Sequence, residues 1–223
     1  MGAEHASSPA AEGDRPELIL ASRSPRREAL LAEAGYRFQV RLPALSERHV
    51  AEHDITAEQL VCALAYYKAR EVADTLASGL VLGADTVVEC EGTVLGKPAD
   101  RDDARRMLAR IAGSRQRVLT GLALVDAATG RRVIDYDVTT LKLRPMTDEQ
   151  VDAYLAAGLG DGKAGAYALQ EGGDALVEWM EGSESNVIGL PLEALERALR
   201  RMMRAEQNHE LHRLNGPARE GAP

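Results

Sequence analysis

Residues 18–35 read Leu18-Ile-Leu-Ala-Ser-Arg-Ser-Pro-Arg-Arg27 followed by Glu-Ala-Leu-Leu-Ala-Glu-Ala-Gly35. Leu18–Ala21 is an apolar run of strand length. Ser24 suits a helix N-cap and Pro25 the first helical position. Leu30, Leu31 and Ala34 then recur on one face, and Gly35 is a natural helix stop. A strand feeding directly into a helix is the opening unit of an α/β protein. Downstream the alternation continues. Ala57, Leu60, Val61, Leu64 and Ala65 give a helical stripe within residues 56–77, and Leu80–Val88 reads as a buried strand. Ala104, Met107, Leu108 and Ile111 predict a third helix closed by Gly113. Val118–Val125 and Val133–Leu143 predict a hairpin around Ala127–Gly130. Thr147 and Gln150 form a capping box ahead of the Val151, Tyr154 and Leu155 helix. Ala175, Val177 and Trp179 alternate as a strand, and Leu192, Leu195, Leu199 and Met202 mark a last helix. Helices between strands, with one hairpin, predict an α/β fold built on a mixed twisted sheet flanked by helices.

The chain has 223 residues, enough to bury about 70% of its unfolded surface, so a full core needs no staples. Residues 1–16 and 205–223 lack apolar periodicity and are expected to be tails, leaving 17–204 as one domain. The His209–His212 pair lies in the second tail, without a scaffold for a metal. Net charge is −8 and aromatic residues are 4%. That balance argues against nonspecific nucleic-acid binding, which needs a basic surface, and against a base-stacking platform. No apolar run reaches the length of a membrane span, so no membrane partner is expected. The first residues lack the pattern of a secretory signal, and Cys62 and Cys90 lack metal or redox spacing. Both point to a reduced, cytoplasmic protein.

Against an acidic background, local cations stand out. Arg26 and Arg27 fall in a first helical turn, where the helix dipole disfavours positive charge. With Ser22, Ser24 and free backbone amides they form a candidate anion cradle suited to phosphate. The plainer alternative is a capped helix whose arginines reach outward to acids. Asp85 in Gly83-Ala-Asp-Thr86 would end a buried strand, a costly place for a carboxylate. It is a candidate metal ligand, a candidate general base, or a turn-forming Asp. Lys68 continues the inward stripe of its helix, so it either snorkels or meets a buried anion. Lys97 and Lys163 sit in turns. Gly92–Lys97 and Gly162-Lys163 superficially suggest P-loops but lack the spacing.

In order, LASRSPRR (20–27), GADTVV (83–88), VLGKP (94–98), LTG (119–121), KAGAYALQ (163–170) and SNVIGLPL (185–192) resemble the Maf family of nucleoside triphosphate pyrophosphatases, also called septum-formation proteins. The resemblance implies two lobes with a central cleft, related to inosine triphosphate pyrophosphatases. It implies hydrolysis between the α- and β-phosphates of a nucleoside triphosphate substrate, with a divalent cation, Mg²⁺ or Mn²⁺, and a role in nucleotide-pool house-cleaning. A nucleotide-binding regulator of division with little turnover is the alternative, and a homodimer is left open. By position, Ser22, Ser24, Arg26 and Arg27 match the family's phosphate-binding signature. Asp85 matches the catalytic acceptor and Thr86 the adjoining substrate-selecting residue. Glu47 corresponds to an acidic residue that would share the metal with Asp85. Lys68, Lys97 and Lys163 correspond to cleft positions, with Lys68 and Lys97 assigned to catalysis and Lys163 to substrate. Gln170 matches the glutamine of the subgroup preferring dTTP and UTP. Two departures stand beside these matches: Gly162, not Asp, precedes Lys163, and Glu171 replaces a glycine.

Overall fold

A computed structural model describes residues 15–44, 55–160, 162–167, 169 and 174–214. Its sheet has seven strands in the order β2-β1-β3-β5-β6-β7, with β4 added to one end of β3. The strands are β1 (Leu18–Ala21), β2 (Phe38–Val40), β3 (Leu80–Cys90), β4 (Thr93–Leu95), β5 (Arg115–Asp126), β6 (Arg132–Leu143) and β7 (Val177–Glu181). β1 runs parallel to both β2 and β3, and all remaining pairings are antiparallel. The mixed sheet flanked by helices is therefore present, and the hairpin closes where expected, with Gly130 at φ 70.

Helix α1 (Pro25–Glu33) follows β1, and α2 (Ala57–Ala73) connects β2 to β3. Helices α3 (Arg101–Ile111), α4 (Asp148–Ala156), α5 (Glu184–Ile188) and α6 (Leu192–Leu214) complete the set. The Thr56 and Thr147 hydroxyls each close a capping box, with Gln59 and Gln150 respectively. Alternation along the strands divides the core between two faces. On one face α2 packs on Val81, Ala123 and Val125, with Val87 and Leu119 beyond. The other face carries two clusters. One gathers α1 and α6 on Leu20, Leu82 and Leu122; the other gathers α3 and α4 on Val88, Val118 and Leu141. Cys90 is buried, Cys62 is half-buried, and both are free.

Several expectations change. β3 does not end at Asp85: it continues to Cys90 because β5 pairs with it from Leu80 to Glu89. β2, β4 and α5, each five residues or shorter, show no periodicity in sequence. Ala175 lies in a 3₁₀ turn (Asp174–Leu176), and the strand starts at Val177. The segment expected to begin a C-terminal tail at 205 remains helical to Leu214. It has neither Gly nor Pro before Gly216-Pro217, so nothing local stops the helix. At the other boundary, Arg15 belongs to the folded body. Its guanidinium donates to the Ala34 carbonyl at 2.8 Å and lies 4.6 Å from the centre of the Tyr36 ring. The rest of the expected N-terminal tail, residues 1–14, lies outside the described residues.

Candidate active site

The site lies where the sheet is interrupted. β1 stops at Ala21, opposite Gly83, and β4 stops at Leu95, opposite Val88. Between them, residues 84–87 of β3 pair with β5 on one edge, while no described strand covers the other. β1 also leads by α1 to β2 on one side of it, whereas β3 lies on the other. A crevice at the carboxyl end of such a strand is a general ligand position in α/β sheets. Here it is a cleft of about 970 Å³. Asp85 and Thr86 both line it, although neighbouring strand residues face opposite sides of a sheet. The open edge makes that possible.

Glycine sets the height of the ceiling. A Cβ on Gly83 would lie 2.2 Å from the Ala65 carbonyl oxygen, and one on Gly121 2.3 Å from that of Val61. The backbone of α2 thus rests directly on β3 and β5. This close packing brings Lys68 over Asp85, with Nζ 2.5 Å from Oδ1 and both side chains about nine-tenths buried. Asp85 Oδ2 has no hydrogen-bond partner among the described residues. The inward lysine has therefore met a buried anion, and Asp85 is not a turn residue.

The opposite wall is the β1–α1 turn. Ser24 occupies the N-cap but its side chain makes no capping bond. Instead the Ser22 hydroxyl accepts from the Ser24 amide at 3.1 Å and from Arg27 Nη1 at 3.3 Å. Arg27 also donates from Nε to the Gly189 carbonyl at 2.7 Å and from Nη2 to the Thr86 hydroxyl at 3.1 Å. Arg26 differs: its Nε is buried without a partner. The cleft is lined by Arg23, Arg26, Arg27, Lys68, Lys97 and Lys163, and Asp85 is the one carboxylate among its described lining residues. An acidic protein thus concentrates cations at one place, as a polyanion requires.

The lysines take different positions. Lys97 follows β4 and is exposed, whereas Lys163 is buried and donates to the Leu159 carbonyl at 2.7 Å. Beside it Tyr167 lines the cleft, and burial pushes its phenol well above the ordinary tyrosine range, so it stays protonated. Glu47, Gln170 and Glu171 lie outside the described residues. Sequence reading assigned no role to Thr120, Asn186 or the Gly189 carbonyl, although each falls in a quoted motif. Their signal was a polar residue or a glycine inside an apolar run.

A model of the family described as Maf-like protein matches residues 17–202. The chain belongs to the Maf-like protein family. Among curated relatives of this Maf-like chain, the dTTP/UTP pyrophosphatase of Moorella thermoacetica is 45% identical, covering 82% of this chain and 93% of that protein. That of Rhodopirellula baltica is 42% identical over 91% of this chain and 88% of that protein. That of Ruminiclostridium cellulolyticum is 38% identical over 83% and 95%. Among solved structures, a HAM1 protein from Coxiella burnetii aligns with 85% of the Maf-like chain and 100% of its own, at 15% identity and a TM-score of 0.48. So loose an alignment carries no argument beside the sheet order itself.

The two arginines of the cradle should separate on substitution. Arg26→Ala removes from a helix N-terminus a cation whose Nε has no partner among the described residues, so ligand-free thermal stability should hold or rise slightly. Arg27→Ala removes a clamp joining β1, β3 and the end of α5. It should lower the melting temperature by several degrees, roughly 2–4 °C per kcal/mol at this chain length. Both should weaken triphosphate binding. Equal thermal loss in the two variants would count against this division.

Proposed function

We propose that this chain hydrolyses nucleoside triphosphates to the monophosphate and pyrophosphate, preferring dTTP and UTP. The observation that carries it is the Asp85–Lys68 pair set into a cleft otherwise lined by cations. A module that merely held phosphate would gain nothing from a carboxylate beside the anion. Curated relatives at 38–45% identity carry the name dTTP/UTP pyrophosphatase, which supports both the reaction and the base preference.

The arginines and the amides at the start of α1 hold the β- and γ-phosphates, so the α-phosphorus faces β3. Lys68 fixes Asp85 through Oδ1 and leaves Oδ2 to take a proton from water. The water oxygen bonds to the α-phosphorus, the bond to the bridging oxygen breaks, and pyrophosphate leaves with that electron pair. Lys97, at the cleft mouth, is suited to balance the charge on the departing group. The donor set fits Mg²⁺ or Mn²⁺ arriving with the nucleotide, since Mg²⁺ commonly takes one or two carboxylates plus substrate oxygens. Asp85, with Glu47, would hold the ion, which would supply Lewis-acid polarisation of the α-phosphate. Gln170 carries the pyrimidine preference in this proposal, because its amide can both donate to a carbonyl and accept from N3–H. House-cleaning of the nucleotide pool follows as the physiological role.

Purified protein, incubated with single nucleotides and Mg²⁺, should release pyrophosphate and not orthophosphate. Its kcat/KM should be higher for dTTP and UTP than for CTP, GTP and 7-methyl-GTP. Orthophosphate as the direct product would overturn the bond assignment. A guanine nucleotide at the top of the ranking would overturn the pyrimidine preference alone.

A further inference from the structure

Thr86 and Thr120 are direct partners across β3 and β5. They interrupt an apolar sheet face, between the cluster under α1 and α6 and the cluster under α3 and α4. Valine would fill both positions with nearly the same shape and no polar group to satisfy. Thr120 is fully buried, where a hydroxyl is costly unless it is paired.

The pairing has a direction. Thr120 donates its one hydroxyl proton to the Asn186 carbonyl at 2.9 Å, and a carbonyl can only accept. The 2.9 Å contact between the two threonine hydroxyls is therefore a donation from Thr86 to Thr120. With its proton committed, the Thr86 oxygen presents a lone pair to Arg27 Nη2. The far end is fixed as well: Asn186 is buried and its side-chain amide donates to the Val118 carbonyl at 2.9 Å and to the Thr139 hydroxyl at 3.0 Å. Three residues on, the Gly189 carbonyl receives Arg27 Nε.

The geometry points to Thr120 and Asn186 as positioning residues for Arg27, acting through the hydroxyl of Thr86. They touch neither the cleft nor a ligand within it. Their part is to hold one hydrogen-bond direction, so that the guanidinium is already fixed when a polyphosphate arrives. Preorganisation of this kind lowers the cost of binding and leaves the chemical step alone. The inference rests on the proposed reading of the cleft as a triphosphate site.

The test pairs two readouts: KM and kcat with dTTP, and the Kd of inorganic tripolyphosphate by calorimetry, which needs no turnover. Thr120→Val keeps the shape and removes the hydroxyl. Both KM and Kd should rise about tenfold, the loss expected for one hydrogen bond to a charged group, with kcat within about twofold. Thr120→Ser should return both to within about twofold of wild type. Thr86→Val removes the same link at a half-buried position and should raise Kd by a similar factor, whether or not Thr120→Val folds. The double variant should be no worse than Thr86→Val, because one chain is broken once. Unchanged Kd in Thr86→Val, additive effects in the double variant, or failure of serine to rescue would each overturn the positioning role. Wild-type protein that binds tripolyphosphate but hydrolyses no nucleotide would overturn the proposed function and leave the Kd comparison intact. Wild-type protein that fails to bind tripolyphosphate would overturn both.

Discussion

Asp85→Asn should reduce kcat by about 10²–10⁴ while nucleotide binding is kept or strengthened. The substitution is nearly isosteric. The amide oxygen can still accept from Lys68, so the pair that spans α2 and β3 persists as a weaker contact. What disappears is an oxygen able to take a proton from water. Binding measured without divalent cation moves the other way, because the variant removes a negative charge from a site for a polyanion. Without ligand, Lys68 is left buried beside a neutral group, which should lower the melting temperature; saturating dTTP should recover much of that loss. Product formation by quenched single-turnover assay, with nucleotide affinity measured separately, checks both halves. Wild-type kcat in the variant would remove Asp85 from the chemistry.

Gly83→Ala should be, with Gly121→Ala, among the most damaging single-methyl changes in the sheet. Its Cβ would stand 2.2 Å from the Ala65 carbonyl oxygen and 2.8 Å from the Ala69 amide nitrogen, both backbone atoms of α2. No side-chain rotamer can relieve that, so the helix must lift or β3 must bend. Overpacking of this kind costs roughly 3 kcal/mol or more. At this chain length that is a fall of roughly 6–12 °C in melting temperature. The same displacement draws Lys68 from Asp85, so kcat should fall even at temperatures where the variant is folded. A scanning-calorimetry trace at the wild-type temperature, or unchanged kcat in folded variant, would contradict the account of α2 as seated on glycine.

How far the sequence announced this site depended on the signal each part carries. Long amphipathic elements were legible: the stripe from Ala57 to Ala65 placed α2 and turned Lys68 inward, and one capping box stands where Thr147 and Gln150 suggested, while that of Thr56 and Gln59 was not read from the sequence. The Ser22–Arg27 turn was legible as a cluster, because arginines in a first helical turn conflict with the helix dipole. Asp85 was singled out on a setting that the fold does not have. A carboxylate seemed to demand a strand end, yet the strand passes through, and what opens there is its neighbour's place. That gap depends on where β1 and β4 stop, and both are too short to announce themselves. The partners of Arg27 were illegible for a related reason. Gly189 lies 162 residues from Arg27 in the chain, and only the fold brings them together.

The uncovered edge at residues 84–87 also bears on how the molecule breathes. Amides in the centre of a sheet ordinarily exchange their hydrogens slowest, since they open only with the whole domain. In β3 no described strand shields the amides of residues 84–87 that face the gap, whereas the run from Leu80 to Gly83 is flanked by β1 and β5. Deuterium uptake in the middle of the longest parallel-paired strand should therefore report directly on whether a nucleotide is seated. The reacting region can open and close to water while the rungs joining β3 to β5 stay shut, so admitting substrate does not require loosening the fold.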